Sequence, residues 1–292
     1  MKNMIIILII LFSFSWSQVA SDHAYTGAES MALVGAVVAN PGATESIFHN
    51  PGGLAEVTDI QFITGSAKMV DVPFTYFGVL YPVRQFGTVG ISLQQSKVSA
   101  GSTSLSKETD LGISNGFYLQ KDQNSQLMLG YTLHLYQWSL GRSAGISGDG
   151  SDGFPAASGS SAGVDVGILA VLRGKHRVGA WLKNINSPTI GDGNSAQYLP
   201  QRMTVGVAYL PYKGLTTSLV FDRLLGVGKQ VKGGIDYDLT DIWTIRVGVQ
   251  SNPNRMGAGF GIHYQGFTLD YAVLTHPVLP LIQQISLGYT IP

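Results

Sequence analysis

Trp243-Thr244-Ile245-Arg246-Val247-Gly248-Val249-Gln250 alternates large apolar residues with small or polar ones, and Met256-Gly257-Ala258-Gly259-Phe260-Gly261-Ile262-His263-Tyr264 repeats the pattern after a turn. Strand side chains point to opposite faces with period two, so each stretch offers one greasy face and one small or wet face. Followed outward in both directions, the same rhythm predicts about fourteen strands, each about ten residues long. They fall near 60–69, 74–82, 87–95, 109–119, 126–140, 162–172, 176–184, 201–210, 215–223, 230–238, 242–250, 256–264, 267–275 and 283–291.

The connections supply an independent test, because an outer-membrane barrel alternates short periplasmic turns with longer outer loops. Residues 121–125, 173–176, 211–214, 239–241 and 265–266 are short and fall at every second connection. Those between them include 96–108, 141–161, 185–200 and 276–282, which are rich in Gly, Ser, Pro and Asn, with Asn252 to Arg255 a short exception. An even strand number places both ends of the chain on the periplasmic side. The expected fold is therefore all-β, a transmembrane antiparallel barrel, since only a closed sheet satisfies its backbone inside lipid.

Facing follows from the alternation. Leu127, Leu129, Tyr131, Leu133 and Leu135, and Val164, Val166, Ile168, Ala170 and Leu172, are assigned to lipid, where a charge costs about 2–4 kcal/mol at mid-bilayer. The opposite faces carry His134, Asp165, Arg202, Asp222, Asp236, Arg246, His263 and Asp270, the expected lumen-lining set. Aromatics such as Tyr76, Tyr81, Tyr118, Trp181, Tyr209, Trp243, Tyr264 and Tyr289 lie mostly near strand ends, where an interfacial girdle belongs.

Composition agrees. Only 12% of the 292 residues are charged, with 37 Gly, 13 Tyr and no Cys, too weak a charge density for an ordinary soluble surface. The formal net charge is zero, so nothing recruits nucleic acid. Lys2, the apolar run from Met4 to Phe14 and Ser15-Trp16-Ser17 read as a secretory signal, cleaved after Ser17 or Ala20. The absence of Cys leaves no lipid-anchored cysteine and no disulfides. The organisation is a signal over 1–20, a distinct segment over 21–58 and a barrel over 59–292, exported to the outer membrane of a Gram-negative-type bacterium and in contact with its lipid.

Residues 21–58 break the rhythm. Met31 to Ala39 reads as a short helix stopped at Asn40-Pro41. Gly27-Ala28-Glu29-Ser30-Met31-Ala32-Leu33-Val34-Gly35-Ala36 runs on to Ala43-Thr44-Glu45-Ser46-Ile47-Phe48-His49-Asn50-Pro51-Gly52-Gly53-Leu54-Ala55. This pair resembles the N-terminal signature of the PorV/PorQ family within the wider FadL-like outer-membrane proteins, and Ile285-Ser286-Leu287-Gly288-Tyr289 is similar to the family's closing strand. Departures are Asn40-Pro41-Gly42 where acids are usual, Gly52 in place of Ala, and an end in Thr290-Ile291-Pro292 rather than an aromatic. The resemblance implies a fourteen-stranded barrel whose N-terminal segment enters the lumen as a plug, with Phe48, Asn50, Pro51, Gly52, Gly53 and Leu54 as the plug motif. The residues fit that picture: Asn50-Pro51-Gly52-Gly53 is a tight-turn sequence, and Gly257, Gly259 and Gly261 on one inner face leave room for a second backbone. The alternative is a periplasmic tail.

Catalytic, metal and cofactor sites are not expected. Gly257-x-Gly259-x-Gly261 lies in a strand and opens no helix, and Ser104-x-x-Lys107 lacks companion motifs. Asp149, Asp152, Asp192 and Asn194 match no cation-loop spacing, and His134 and His263 have neither a carboxylate at diagnostic spacing nor a Ser partner. The chain is thus expected not to be an enzyme. The resemblance favours a secretion-associated or translocation component that binds exported proteins and a secretion machinery. The alternative is a FadL-like passive channel for long-chain fatty acids or other hydrophobic small molecules, against which the many inward charges count. A general diffusion porin is a third reading, opposed by the plug.

Overall fold

In the computed structural model, residues 25–42, 44–69, 72–100, 103–143, 145–148, 152–191 and 196–291 are described. The signal expected at 1–20 and the loop residues Asp149, Asp192 and Asn194 lie outside them. The strands are β1 Ile60–Met69, β2 Val72–Val83, β3 Gly87–Ala100, β4 Thr103–Lys121, β5 Ser125–Leu140, β6 Ala157–Leu172, β7 His176–Lys183, β8 Thr189–Ile190, β9 Gln197–Tyr198, β10 Arg202–Tyr209, β11 Leu215–Leu224, β12 Gly228–Asp238, β13 Trp243–Gln250, β14 Arg255–Tyr264, β15 Phe267–Leu274 and β16 Ile282–Ile291. Fourteen of them, all but the small hairpin β8–β9, form one closed antiparallel barrel. It closes where β1 meets β16, with Ile60 opposite Ile291 and Phe62 opposite Tyr289, so no strand edge is left for lipid to meet.

The alternation sorts the side chains as expected. Leu133 is 51% exposed on the outside, whereas Met128 and Leu169 on the inner face of the same two-strand region are fully covered. Tyr76 and Trp181 depart from the expected girdle: both turn inward and are buried. The segment expected as an outer loop over 96–108 instead continues β3 to Ala100 and starts β4 at Thr103, and β6 begins at Ala157. Above the lipid both faces of a sheet are wet, so Ser, Thr and Lys replace the apolar partners of the alternation while the backbone ladder carries on.

Residues 25–42 and 44–57 lie inside the barrel, packed against its inner wall. They form helix α1 (Ala28–Ala32), helix α2 (Ser46–His49) and a 3₁₀ turn over Pro51–Glu56. The helix expected over 31–39 is replaced by α1, which ends early because Val34 and Gly35 take positive φ of 49° and 75°. There the Gly35 amide donates to the Ser30 carbonyl at 2.8 Å, a left-handed termination for which Gly is suited.

Candidate functional site

The lumenal segment rests on wall positions that have no side chain. Gly116, Gly130 and Gly167 sit opposite one another across β4, β5 and β6, Gly179 faces Gly206 across β7 and β10, and Gly234, Gly248 and Gly257 align across β12, β13 and β14. A Cβ at Gly130 would collide with the Pro51 carbonyl, at Gly167 with the Asn50 carboxamide, at Gly179 with the Val38 carbonyl, and at Gly257 it would lie 2.5 Å from the Ala32 carbonyl. At Gly130, Gly167, Gly179 and Gly257 this belt lets a second backbone approach the wall where any side chain would hold it off, while at Gly234 the contact is looser, the nearest segment atom lying 3.1 Å from a Cβ. Gly259 belongs to the same contact, its Cβ position 2.7 Å from the Ala32 Cβ, but Gly261 faces Asp270 and Arg246 instead of the segment.

The motif residues cluster at the turn that reverses the segment. Asn50 is fully buried. Its Oδ1 accepts from the Gly52 amide at 3.0 Å, while its Nδ2 donates to the Val38 carbonyl at 2.7 Å and to the Ile168 carbonyl of the wall at 3.1 Å. One carboxamide thus closes the turn, ties it to the preceding stretch of the segment at Val38 and pins both to β6. Pro51 begins the 3₁₀ turn, where a missing amide proton costs nothing. Gly53 has no room for a Cβ beside the Pro41 ring, and Gly52 lies against the Gly167 backbone. Phe48 meets Tyr76 edge to face at 5.5 Å, and Leu54 is fully buried near Gly116.

The eight lumen-lining residues fall into groups above and below the segment. On the outer side, the His134 Nδ1 lies 2.7 Å from Asp110 and its Nε2 3.3 Å from Asp165, and Asp165 also accepts from the Trp181 indole and the Asn184 amide. His134 therefore has two carboxylate neighbours, contrary to the sequence expectation; they reach it diagonally from the strands on either side, a relation that no linear spacing displays. Also on that side, Arg202 and Lys232 both engage Asp222, the latter at 2.6 Å. On the periplasmic side, Arg246 binds Asp270 at 2.6 Å and Asp236 at 3.4 Å, with Glu29 of the segment at 3.6 Å. His263 stands apart, its Nδ1 3.3 Å from the Thr268 hydroxyl.

Within the segment, Glu45 accepts from the amides of Glu29 and Ser30 at the start of α1 at 3.2 and 2.9 Å. Burial pushes Glu29 up to about 7 against the pull of Arg246, with Asp236 and Asp270 adding to the rise. Burial, followed by the charge of Glu29, holds Glu45 well above the ordinary carboxylate range. Burial lowers His49 to about 4 although its ring meets the Thr26 carbonyl at 2.7 Å.

Two spaces flank the segment. At the outer mouth a cleft is lined by Tyr136, Trp138, Ile190, Leu199 and Pro200, with Asp110 and Lys183 at its floor. It holds only about 30 Å³, room for about two waters at 10–15 Å³ each, so a larger guest requires the β8–β9 hairpin to shift. Below the segment a vestibule of about 210 Å³ is bordered by Glu29, Glu45, His263 and Asp270, together with Ile63, Thr268 and Gly288. The last three also border an apolar groove of about 350 Å³ on the lipid face. Asp152, weighed as a cation ligand, accepts from the Ile146 and Ser147 amides, and donors aimed at a carboxylate leave no place for a cation there.

Residues 22–222 match the model of a family described as "F plasmid transfer operon, TraF, protein". The chain belongs to this TraF family. No curated protein sequence matches the chain. Its fold is similar to that of CymD, a monoaromatic hydrocarbon channel (TM-score 0.69, 12% identity, 93% of this chain and 99% of that one). It is also similar to the Ralstonia pickettii toluene transporter TbuX (0.65, 11%, 92% and 99%) and to a Pseudomonas aeruginosa FadL homologue (0.60, 12%, 94% and 99%). At these identities the likeness establishes a FadL-like fold.

Sequence reasoning passes over several residues that hold the TraF-family segment in place. Tyr25 donates to Gln250 at 2.6 Å, Thr26 to Gln94 at 2.8 Å, and the Ala28 amide to Ser286 at 2.7 Å, while Arg177 reaches both the Ala39 carbonyl at 2.9 Å and Glu56. Polar residues scattered along wet strand faces carry no motif. The one available signal is the pair of acids Glu29 and Glu45, the only charged residues between Tyr25 and Ala55 apart from a histidine.

Proposed function

We propose that this TraF-family barrel is a passive outer-membrane channel for hydrophobic small molecules, of the size of a monoaromatic hydrocarbon or a fatty acyl chain, and that residues 25–58 are its plug. The observation that carries this reading is the pair of spaces separated by the segment, an aromatic-lined cleft outside and a vestibule inside, with the segment seated on side-chain-free wall. The inward charges that counted against a hydrophobic guest neutralise one another in tight groups, which leaves Tyr136, Trp138, Ile190 and Leu199 as the guest-facing surface. Similarity to hydrocarbon channels supports the same reading, and so reverses the order expected from the N-terminal motif. Below the plug, the shortest way to the bilayer passes the wall at Ile63, Thr268 and Gly288, which border both the vestibule and the lipid-side groove.

The test is whole-cell uptake of radiolabelled toluene and oleate in a strain deleted for the chain and in its complemented counterpart. Uptake of at least one tracer falls on deletion and returns on complementation; unchanged uptake of both removes the channel. The PorV/PorQ-like motif over Phe48 to Ala55 sustains a secretion-associated role as a second reading. For that role, deletion strips specific proteins from the cell surface while tracer uptake stays constant.

A further inference from the structure

The barrel wall is not of even height. On the outward face of β3, β4, β5 and β6 the last row that is apolar on all four strands is Leu93, Leu111, Leu135 and Ala162, each directly opposite the next. One step further from the periplasm the registered row is Gln95, Thr109, Gln137 and Ser160, and the next is Lys97, Lys107, Ser139 and Ser158. These rows continue the strands beyond the lipid band, where the remaining barrel strands on the opposite side have already ended in turns. Six of these eight residues, from Lys107 to Ser160, line a concavity of about 420 Å³ whose other members are Trp138 and Gly159.

Lys97 and Lys107 face each other directly across the ladder, both exposed. Like charges so placed repel, and neither forms an ion pair with a described residue. No carboxylate stands in the two rows. A doubly cationic edge lined with hydroxyls and carboxamides, set one residue pair above greasy wall, is complementary to an anionic, hydroxyl-rich headgroup whose acyl chains lie against that wall.

We propose that this face binds the phosphate-bearing sugar headgroup of an outer-leaflet glycolipid. Lys97 and Lys107 meet the phosphate as ammonium donors, while Thr109, Gln137, Ser158 and Ser160 take the sugar hydroxyls. The acyl chains descend along Leu111, Leu135 and Ala162. The inference rests on the chain being an outer-membrane barrel but not on what the lumen carries.

The experiment uses the full-length mature barrel in neutral detergent, with bisphosphorylated lipid A as the probe and native mass spectrometry as the readout. Wild type retains one lipid A. The variant Lys97→Ala/Lys107→Ala binds it at least tenfold more weakly, in keeping with the contribution of two basic groups to a lipid headgroup. Lipid A stripped of phosphate binds wild type and variant equally weakly, and millimolar inorganic phosphate does not displace the bound lipid, which separates a docked headgroup from a free-anion site. Heat-modifiable migration on gels and recovery in the outer-membrane fraction confirm that the variant folds and inserts; loss of both for wild type would refute the barrel reading and not the site. Equal lipid A binding by folded wild type and variant, or phosphate-independent binding by wild type, overturns the proposal. A Lys97→Glu/Lys107→Glu variant provides a second arm, in which binding is abolished at low salt.

Discussion

The wall and the lumenal segment are held together by different means. The wall is a ladder of backbone hydrogen bonds closed from β1 to β16, for which almost any side chain of suitable polarity suffices on either face. The segment has two short helices and one 3₁₀ turn of its own. It stays in place through apolar packing of Met31, Ile47, Phe48 and Leu54 against wall residues such as Phe74, Tyr76 and Leu80, through specific contacts of Asn50, Glu29, Thr26, Tyr25 and Arg177, and through the absence of side chains along the glycine belt. The difference teaches that the barrel closes through its own strands without help from the segment, which is the condition the proposed plug role requires.

The largest effect belongs to the belt. Gly130→Leu puts a side chain where the Pro51 carbonyl lies, at a cost of about 3 kcal/mol or more to seating. The variant forms a heat-modifiable barrel like wild type but shows a large open conductance in planar bilayers. Gly233→Ala is its control, since the nearest atom to the new Cβ is 3.8 Å away, and it conducts like wild type. If both variants stayed closed, the contrast between wall and segment would fail.

Asn50→Ala follows. Losing three hydrogen bonds and stranding two buried carbonyls weakens seating by about 2–4 kcal/mol. Protease applied from the periplasmic face then cuts the N-terminal segment while the thermal unfolding midpoint of the barrel stays within a degree or two of wild type. A matching fall in the barrel midpoint would mean that segment and wall form one cooperative unit.

Protonation provides a smaller, graded handle. Glu29 is held at about 7 in the seated segment against an ordinary glutamate value of 4.5, so the seated state binds the proton more tightly than the released state. Seating is therefore fully supported below pH 4.5 and loses that support as pH rises through 7, by roughly 3 kcal/mol at 1.36 kcal/mol per unit. Channel opening frequency rises between pH 5 and pH 8, and Glu29→Gln flattens the rise. A wild-type profile that falls with pH contradicts the sign.

The smallest effect concerns the outer cleft. Trp138→Ala removes part of its apolar lining and weakens toluene binding about three- to tenfold, an aromatic contact of about 1 kcal/mol, with conductance unchanged.

The wall was legible in the sequence because alternation such as Trp243 to Gln250 is a local property that the ladder preserves. It faded where the lipid ended, at Ser96 to Glu108, since wet strands need no apolar face. In the lumen, the period placed Asp236, Arg246 and Asp270 on the inside but could not show that they meet Glu29, because register across three strands and the path of the segment are tertiary facts. The partners of His134 were hidden for the same reason. Asn50-Pro51-Gly52-Gly53 was readable as a turn; that its carboxamide would also pin β6 was not.

The plug is tested most directly by locking it. The chain contains no Cys, and a Cβ at Gly234 lies 3.5 Å from the Leu33 Cβ, within the spacing a disulfide bridges. Leu33→Cys/Gly234→Cys therefore ties segment to wall by its only two thiols. Cells complemented with this variant take up radiolabelled toluene or oleate only after reduction, and oxidation abolishes uptake reversibly. Equal uptake by the oxidised and reduced forms, with the disulfide verified by mass, would show that transport does not require the segment to move.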